Sequence, residues 1–138
     1  MDRFLALMPR LRRRFEAHLP PDVRAELATV TPHQVEALCH LVREGGATMH
    51  ELARSQGCGM SSATSLADRL HRQSLAERAP DPGDRRVVRL LPTPRAAALI
   101  DSFQASRREA AIDALGALSD SEVDQLITLL DMVAGEPS

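Results

Sequence analysis

The 138-residue chain has few aromatic residues and only one kind of basic residue. Three phenylalanines occur without tryptophan or tyrosine, so the core must consist mainly of leucine, valine, isoleucine and alanine, which suits packed helices. The scarcity of rings on which bases could stack argues against single-stranded nucleic acid as a partner. Lysine is absent and all 17 basic residues are arginine, a usage that fits a GC-rich genome.

Cysteine and long apolar runs are scarce as well. Two cysteines, Cys39 and Cys58, are too few for a disulfide framework. The first residues lack the order of a secretory signal peptide, and no apolar run approaches the roughly 20 residues that cross a bilayer. No glycine-rich phosphate loop indicates a nucleotide cofactor. We therefore expect one cytoplasmic domain over residues 1–138, with no cofactor and no membrane contact.

The charge of the chain is distributed unevenly. The net charge is −2, but residues 46–95 contain eight arginines against five acidic residues, whereas residues 96–138 contain two arginines against eight. The middle segment is therefore positive and the last segment strongly negative. Because a local basic surface captures DNA even on an acidic protein, the negative total does not exclude a DNA-binding function.

Helical spacing of apolar residues covers the first third of the chain. It predicts an amphipathic helix over residues 2–19 and a short helix over 22–28. Thr31, with Gln34 three residues later, forms a capping-box pattern that opens a helix to about Arg43.

A second capping box, Thr48 with Glu51, opens a short helix that ends at Gly57. The next helix is expected over residues 60–73, because its apolar positions recur at helical spacing. Two helices joined by a short glycine-containing turn form a helix-turn-helix. The apolar positions of the second helix are Ala63, Leu66, Ala67 and Leu70.

Two short strands, 75–79 and 86–91, flank a turn over residues 81–84 and predict a hairpin. Thr93 then caps a long helix, and Ser119 caps the last one in a box with Glu122. The predicted fold class is mainly α with a small β-hairpin, a winged helix-turn-helix flanked by N- and C-terminal helices. The hairpin is the expected wing.

The exposed face of the 60–73 helix is rich in serine, a weak choice for an ordinary helix surface. Small hydroxyl side chains allow a helix to approach a DNA groove closely, and an arginine can reach a phosphate or a guanine. A solvated face without function is the alternative. The polar stripe consists of Ser61, Ser62, Ser65, Asp68, Arg69 and Arg72.

The hairpin tip carries Asp84, Arg85 and Arg86. Two guanidinium groups on a narrow loop can enter a minor groove, and the neighbouring carboxylate can orient one of them. Charged hairpins without such a role are common. The position directly after a helix-turn-helix favours DNA binding.

The order of these motifs resembles the MarR family of regulators over about residues 31–96. The stretch from Asp68 to Arg86 is the specific part of the resemblance. The matching segments are Thr31-Pro-x-Gln34, Glu51-Leu-Ala53, Asp68-Arg-Leu70, Leu75-x-Glu-Arg78, Asp81-Pro-x-Asp-Arg-Arg86 and Leu91-x-Thr93. The chain departs from the family pattern at Gly59, where a serine cap is usual, and at Ser74, where glycine usually ends the helix.

The resemblance implies a homodimeric regulator, acting as a repressor, that binds a pseudo-palindromic site on double-stranded DNA. Residues 31–92 would form the winged helix-turn-helix, and residues 1–28 and 93–136 the dimerisation helices. A small-molecule effector would bind between these parts. Carried over by position, the major-groove residues are Ser61, Ser62, Thr64, Ser65 and Arg69, and the wing residues are Arg85 and Arg86, oriented by Asp84.

Other functions are less well supported by the residues. His50-Glu51 begins a zinc-protease motif, but Arg54 stands where the second histidine is required, so we expect no enzyme. A metal or redox sensor is the stronger alternative, because His33, Cys39 and His40 lie on one helix. Cap-proximal histidines and a core cysteine explain the same pattern, and Cys58 is also expected in the core. A winged-helix module that binds only protein is the third alternative.

Overall fold

A computed structural model describes residues 1–135, which form seven helices and three short strands. The mainly helical fold with a small sheet is confirmed. The predicted domain boundary at residue 136 lies outside the described residues. The elements are α1 Asp2–Glu16, α2 Pro21–Leu27, α3 Pro32–Glu44, β1 Ala47–Thr48, α4 Met49–Gln56, α5 Met60–Arg72, β2 Ala76–Pro80, β3 Val88–Pro92, α6 Pro94–Leu115 and α7 Asp120–Ala134.

The three predicted capping boxes open α3, α4 and α7. In the first, the Gln34 N–H donates to Thr31 Oγ1 at 3.2 Å, and the Thr31 N–H donates to Gln34 Oε1 at 2.9 Å. Each box satisfies two backbone N–H groups that the helix cannot pair internally. The helix starts predicted at Thr31, Thr48 and Ser119 are therefore confirmed.

The strands form an antiparallel sheet in the order β1-β3-β2. Ala76 is opposite Pro92, and Ala47 is opposite Leu90. Strand β2 begins one residue later than predicted, and β3 begins two residues later. Arg86 and Val87, which were predicted in the second strand, belong to the turn, where the Val87 N–H donates to the Asp84 carbonyl. Strand β1 was not predicted, since two residues are too few to show strand alternation.

The described residues divide into two compact units. The central unit comprises residues 19–104, and the terminal unit comprises residues 1–18 together with the chain from residue 105. The apolar face predicted for α5 is buried in the central unit. The largest fully buried side chains, all in this unit, are Leu38, Leu41, Leu52, Leu70, Leu75, Leu90 and Ile100.

The terminal unit contains α1, the second half of α6, and α7. Arg14 on α1 donates to Asp113 on α6 at 3.1 Å. Helix α1 ends at Glu16, three residues before the predicted end. The residue before a proline is disfavoured in helical conformation, and two consecutive prolines follow here. No helix in residues 1–135 is both long and apolar enough to span a bilayer.

Candidate nucleic-acid interface

Helix α5 exposes the polar stripe that the sequence predicted. Its opposite face is held in the core by Leu66 and Leu70, so the rotation of the helix is fixed. Glycine rather than serine precedes the helix, and Gly59 makes no side-chain cap. Eight polar residues are exposed on this helix, namely Ser61, Ser62, Thr64, Ser65, Asp68, Arg69, His71 and Arg72.

Four residues of this stripe line a recess of about 410 Å³, which we call the α5 recess. Within residues 1–135 the three serine hydroxyls make no hydrogen bond and the Arg69 guanidinium has no carboxylate partner. These groups are therefore available to a ligand. The recess is lined by Ser61, Ser62, Ser65 and Arg69, together with Leu66, His33 and Cys58.

Thr64 differs from the serines around it. Its hydroxyl donates to the Met60 carbonyl at 2.9 Å, one turn earlier on the same helix, and the residue does not line the α5 recess. A threonine hydroxyl bonded in this way keeps only its lone pairs for an outside donor. Of the residues placed on the major-groove helix, Thr64 is the one with its donor already used.

Asp68 is also paired within the protein. Arg78 on β2 donates to its carboxylate, which connects the outer face of α5 to the wing. This ion pair neutralises the one acidic side chain of the stripe. The exposed charges left on α5 are therefore the arginines, Arg69 and Arg72.

The wing turn is shaped by Asp81. Its Oδ2 accepts hydrogen bonds from the N–H groups of Gly83 at 2.9 Å and Asp84 at 3.1 Å, and the Asp81 N–H donates to the Val87 carbonyl at 2.8 Å. The N–H of Gly83 and the guanidinium of Arg89 hold the pKa of Asp81 below its ordinary value of 3.8. The turn is thus fixed by a carboxylate that stays ionised at neutral pH.

At the tip, Asp84 holds Arg86 through three hydrogen bonds. Asp84 Oδ1 accepts from the backbone N–H and Nε of Arg86, and Oδ2 accepts from Nη2, each at 3.0 Å. The Arg86 side chain lowers the pKa of Asp84, and Asp84 raises that of Arg86. Arg86 is nevertheless 90% exposed. The pairing orients the guanidinium without covering it.

Arg85 is exposed next to Arg86 and has no carboxylate partner in the described part of the chain. The tip therefore presents two guanidinium groups and one carboxylate, that of Asp84, which is paired with Arg86. Such a surface attracts phosphate or a narrow minor groove.

The residues considered for a sensor are not grouped. Cys39 is half-buried and its Sγ accepts from Gln104 Nε2 at 3.6 Å, while His40 is bonded to Arg43 at 3.1 Å. His33 is exposed at the α5 recess instead. Among residues 1–135, no three histidine, cysteine, aspartate or glutamate side chains lie together as metal ligands.

Two residues of the α5 recess were not assigned to it from the sequence. His33 lies in the first turn of α3, and Cys58 precedes α5 and is half-buried against the core. Cys58 was expected in the core. In the structure it packs against the core and also lines the α5 recess. No sequence signal connects His33 with the α5 serines, because only tertiary packing brings them together.

Comparison with known proteins gives consistent matches. Residues 30–88 match the MarR family. The chain is 34% identical over 94 residues, 68% of its length, to an uncharacterised HTH-type transcriptional regulator of Bacillus subtilis, YsmB. It is 30% identical over 101 residues, 73% of its length, to the HTH-type transcriptional repressor NicR of Pseudomonas putida. The matched segment spans 64% of the length of each of these regulators.

Comparison with solved structures gives the same family. A solved MarR family protein from Bacillus stearothermophilus superposes with a TM-score of 0.66 at 28% identity, covering 97% of this chain and 95% of that one. The likeness includes the helices on both sides of the matched 30–88 segment, since almost the whole chain is covered.

Proposed function

The chain belongs to the MarR family of winged helix-turn-helix transcriptional regulators, and on this premise we propose that it binds double-stranded DNA with α5 in the major groove and the wing tip in the adjacent minor groove. The exposed guanidinium of Arg86, held by Asp84, carries this proposal. A preoriented arginine on a narrow hairpin suits a minor groove, whose negative potential attracts it.

The α5 recess supports the major-groove half of the proposal. Its serine hydroxyls and Arg69 are unpaired donors on the exposed face of a helix, and a helix with small side chains lies deep in a major groove. Ser62 and Ser65 are proposed to read base edges. Arg69, Arg85 and Arg86 are proposed to contact phosphate or the minor groove.

The terminal unit supports a homodimer. Soluble monomers rarely leave large apolar surfaces in water, and a second copy of the same helices would bury them. In such a dimer two α5 helices lie about 34–36 Å apart and read the halves of a pseudo-palindrome. The large exposed apolar side chains on the helices of this unit are Phe4, Leu5, Leu7, Met8 and Leu11 on α1, Ile112 on α6, and Ile127, Leu129, Leu130, Met132 and Val133 on α7.

Repression of a promoter by occupying such a site is the proposed mode of regulation. A small-molecule effector would act only if it binds one spacing of the two α5 helices more tightly than another. Screening aromatic and anionic compounds for release of the protein from DNA tests this part separately.

The test begins with genome-wide footprinting of the purified protein, followed by fluorescence anisotropy on a recovered site. Arg86→Ala is expected to weaken binding to every sequence and to flatten the salt dependence, because a charge contact is lost. Ser62→Ala is expected to change which sequence is preferred. Arg43→Ala, which removes an exposed arginine paired with Glu44, is the control.

Two results would contradict the proposal. The wing assignment is wrong if Arg86→Ala binds as tightly as the wild type at moderate salt. DNA binding itself is excluded if the protein protects no site at low salt, in which case a protein-binding module becomes the better interpretation. Sedimentation should give twice the chain mass of 15.1 kDa, and a monomer would contradict the dimer.

A further inference from the structure

Arg89 lies on β3 with its guanidinium between two carboxylates from different parts of the central unit. Its Nη1 is 3.2 Å from Asp81 Oδ1 in the wing turn and 3.9 Å from Glu51 Oε2 on α4. The side chain of Arg89 is only 23% exposed, and that of Asp81 only 21%. Arg89 is therefore a partly buried charge with two partners, unlike the exposed arginines of α5 and the wing tip.

Each of the two carboxylates also holds backbone. The second oxygen of Asp81 accepts from the N–H groups of Gly83 and Asp84, and so shapes the tip. Glu51 Oε2 accepts from the Thr48 N–H at 2.8 Å and so fixes the first turn of α4. Arg89 is thus bonded to the residue that shapes the wing and lies close to the residue that starts the helix-turn-helix.

The stem of Arg89 is confined as well. A Cβ on Gly46 would lie 3.8 Å from Arg89 Nε, so the stem runs past the glycine that precedes β1. Strand pairing restrains its backbone from both sides, with Thr48 on β1 and Ala79 on β2. A charge on a restrained stem keeps its direction better than one on a free surface chain.

We propose that Arg89 is a positioning residue for the wing, which fixes the direction of the hairpin tip relative to α4 and thereby the direction in which Arg86 meets the minor groove. The inference rests on the proposed DNA-binding function. Without the guanidinium, Asp81 and Glu51 would face each other as like charges, and the turn would lose its connection to the helix. Arg89 itself acts through Asp81 and Asp84 rather than by touching DNA.

A double-mutant cycle on DNA affinity tests this mechanism. Arg89→Gln is expected to weaken binding about three- to tenfold. The effects of Arg89→Gln and Arg86→Ala on affinity should combine to clearly less than their product, because misdirecting a side chain that is already absent has no further cost and only the misdirection of Arg85 remains. Arg89→Lys, which keeps the charge, should recover most of the affinity. Arg43→Gln, which breaks the exposed pair with Glu44, is the matched control and should leave affinity unchanged.

A second measurement does not depend on DNA. In the free protein, Arg89→Gln should shift the amide resonances of Gly83 and Asp84 and speed their hydrogen exchange, while amides of the α3 core stay unchanged. The control Arg43→Gln should leave the wing resonances in place.

The outcomes separate the inference from the proposed function. If the effects of Arg89→Gln and Arg86→Ala multiply, or if the Gly83 and Asp84 amides do not move, Arg89 does not position the wing. Failure of the lysine variant to recover affinity would also contradict the charge-based mechanism. If the wild type binds no DNA but the wing amides move as expected, the proposed function fails and the structural role of Arg89 stands.

Discussion

Replacing Gly46 by alanine should destabilise the protein strongly, because this glycine joins α3 to the unpredicted strand β1. Its φ is +117°, which side chains rarely adopt. An added Cβ would lie 2.5 Å from Leu91 Cδ2 and 3.0 Å from the Leu90 carbonyl oxygen. Leu91 could shift, but the Leu90 carbonyl belongs to the backbone of the central strand. The substitution therefore meets both conformational strain and steric overlap.

The cost follows from these two contributions. An L-residue in a left-handed conformation costs about 1–2 kcal/mol, and overpacking costs about 1–3 kcal/mol. Together they lower the free energy of unfolding by about 2–5 kcal/mol, if the effects are additive. At roughly 3 °C per kcal/mol for a domain of this size, the melting temperature falls by roughly 6–15 °C.

Gly45→Ala is the matched control, because Gly45 is the preceding residue, has φ +70° and leaves an added Cβ with nothing within 4 Å. It should lose only the conformational part, about 1 kcal/mol. Urea and thermal unfolding, followed by circular dichroism at one protein concentration, compare the two variants. Equal losses for the two alanine variants would refute the close approach of β3 to Gly46.

Three further predictions concern local features. Ser74 has φ +58°, so Ser74→Gly should relieve about 1–2 kcal/mol of left-handed strain and lose about 0.4–1 kcal/mol to the greater entropy of the unfolded chain. The free energy of unfolding should therefore rise by about 0.5–1 kcal/mol, and a fall would mean that the serine is not strained. Because the pKa of Asp81 is lowered in the folded protein, the ionised carboxylate stabilises the fold at pH values above its unfolded pKa of 3.8. This stabilisation is lost as the pH falls through the folded pKa. Asp81→Asn should therefore reduce the change in urea midpoint between about pH 6 and about pH 2, and an unchanged profile would contradict it. Thr31→Ala removes the cap of α3 and should cost about 1 kcal/mol by urea unfolding, whereas Thr29→Ala, two residues earlier and outside the capping box, should cost less.

Much of the fold was predictable from local patterns. The capping boxes at Thr31, Thr48 and Ser119 depend on hydrogen bonds between residues three apart, so the residue spacing alone indicates them. The buried face of α5 follows in the same way from apolar residues at helical spacing. The wing turn is indicated by aspartate, proline and glycine in a row. The two candidate DNA-contacting surfaces could therefore be located along the chain before the fold was known.

Other features depend on residues far apart in sequence. Strand β1 is recognisable only because Ala47 pairs with Leu90. Ser74, where the family pattern has glycine, shows its positive φ only in three dimensions.

The sequence by itself determined that α5 carries a polar, arginine-containing face and that Asp84 and Arg86 occupy a hairpin tip, since both are set by contacts within a few residues. Only the tertiary structure decided that His33 and Cys58 share a recess with the α5 serines, and that Arg89 lies between Asp81 and Glu51. The physical reason is that helix periods and caps are encoded by spacing, whereas contacts between distant segments depend on how the core packs the elements together.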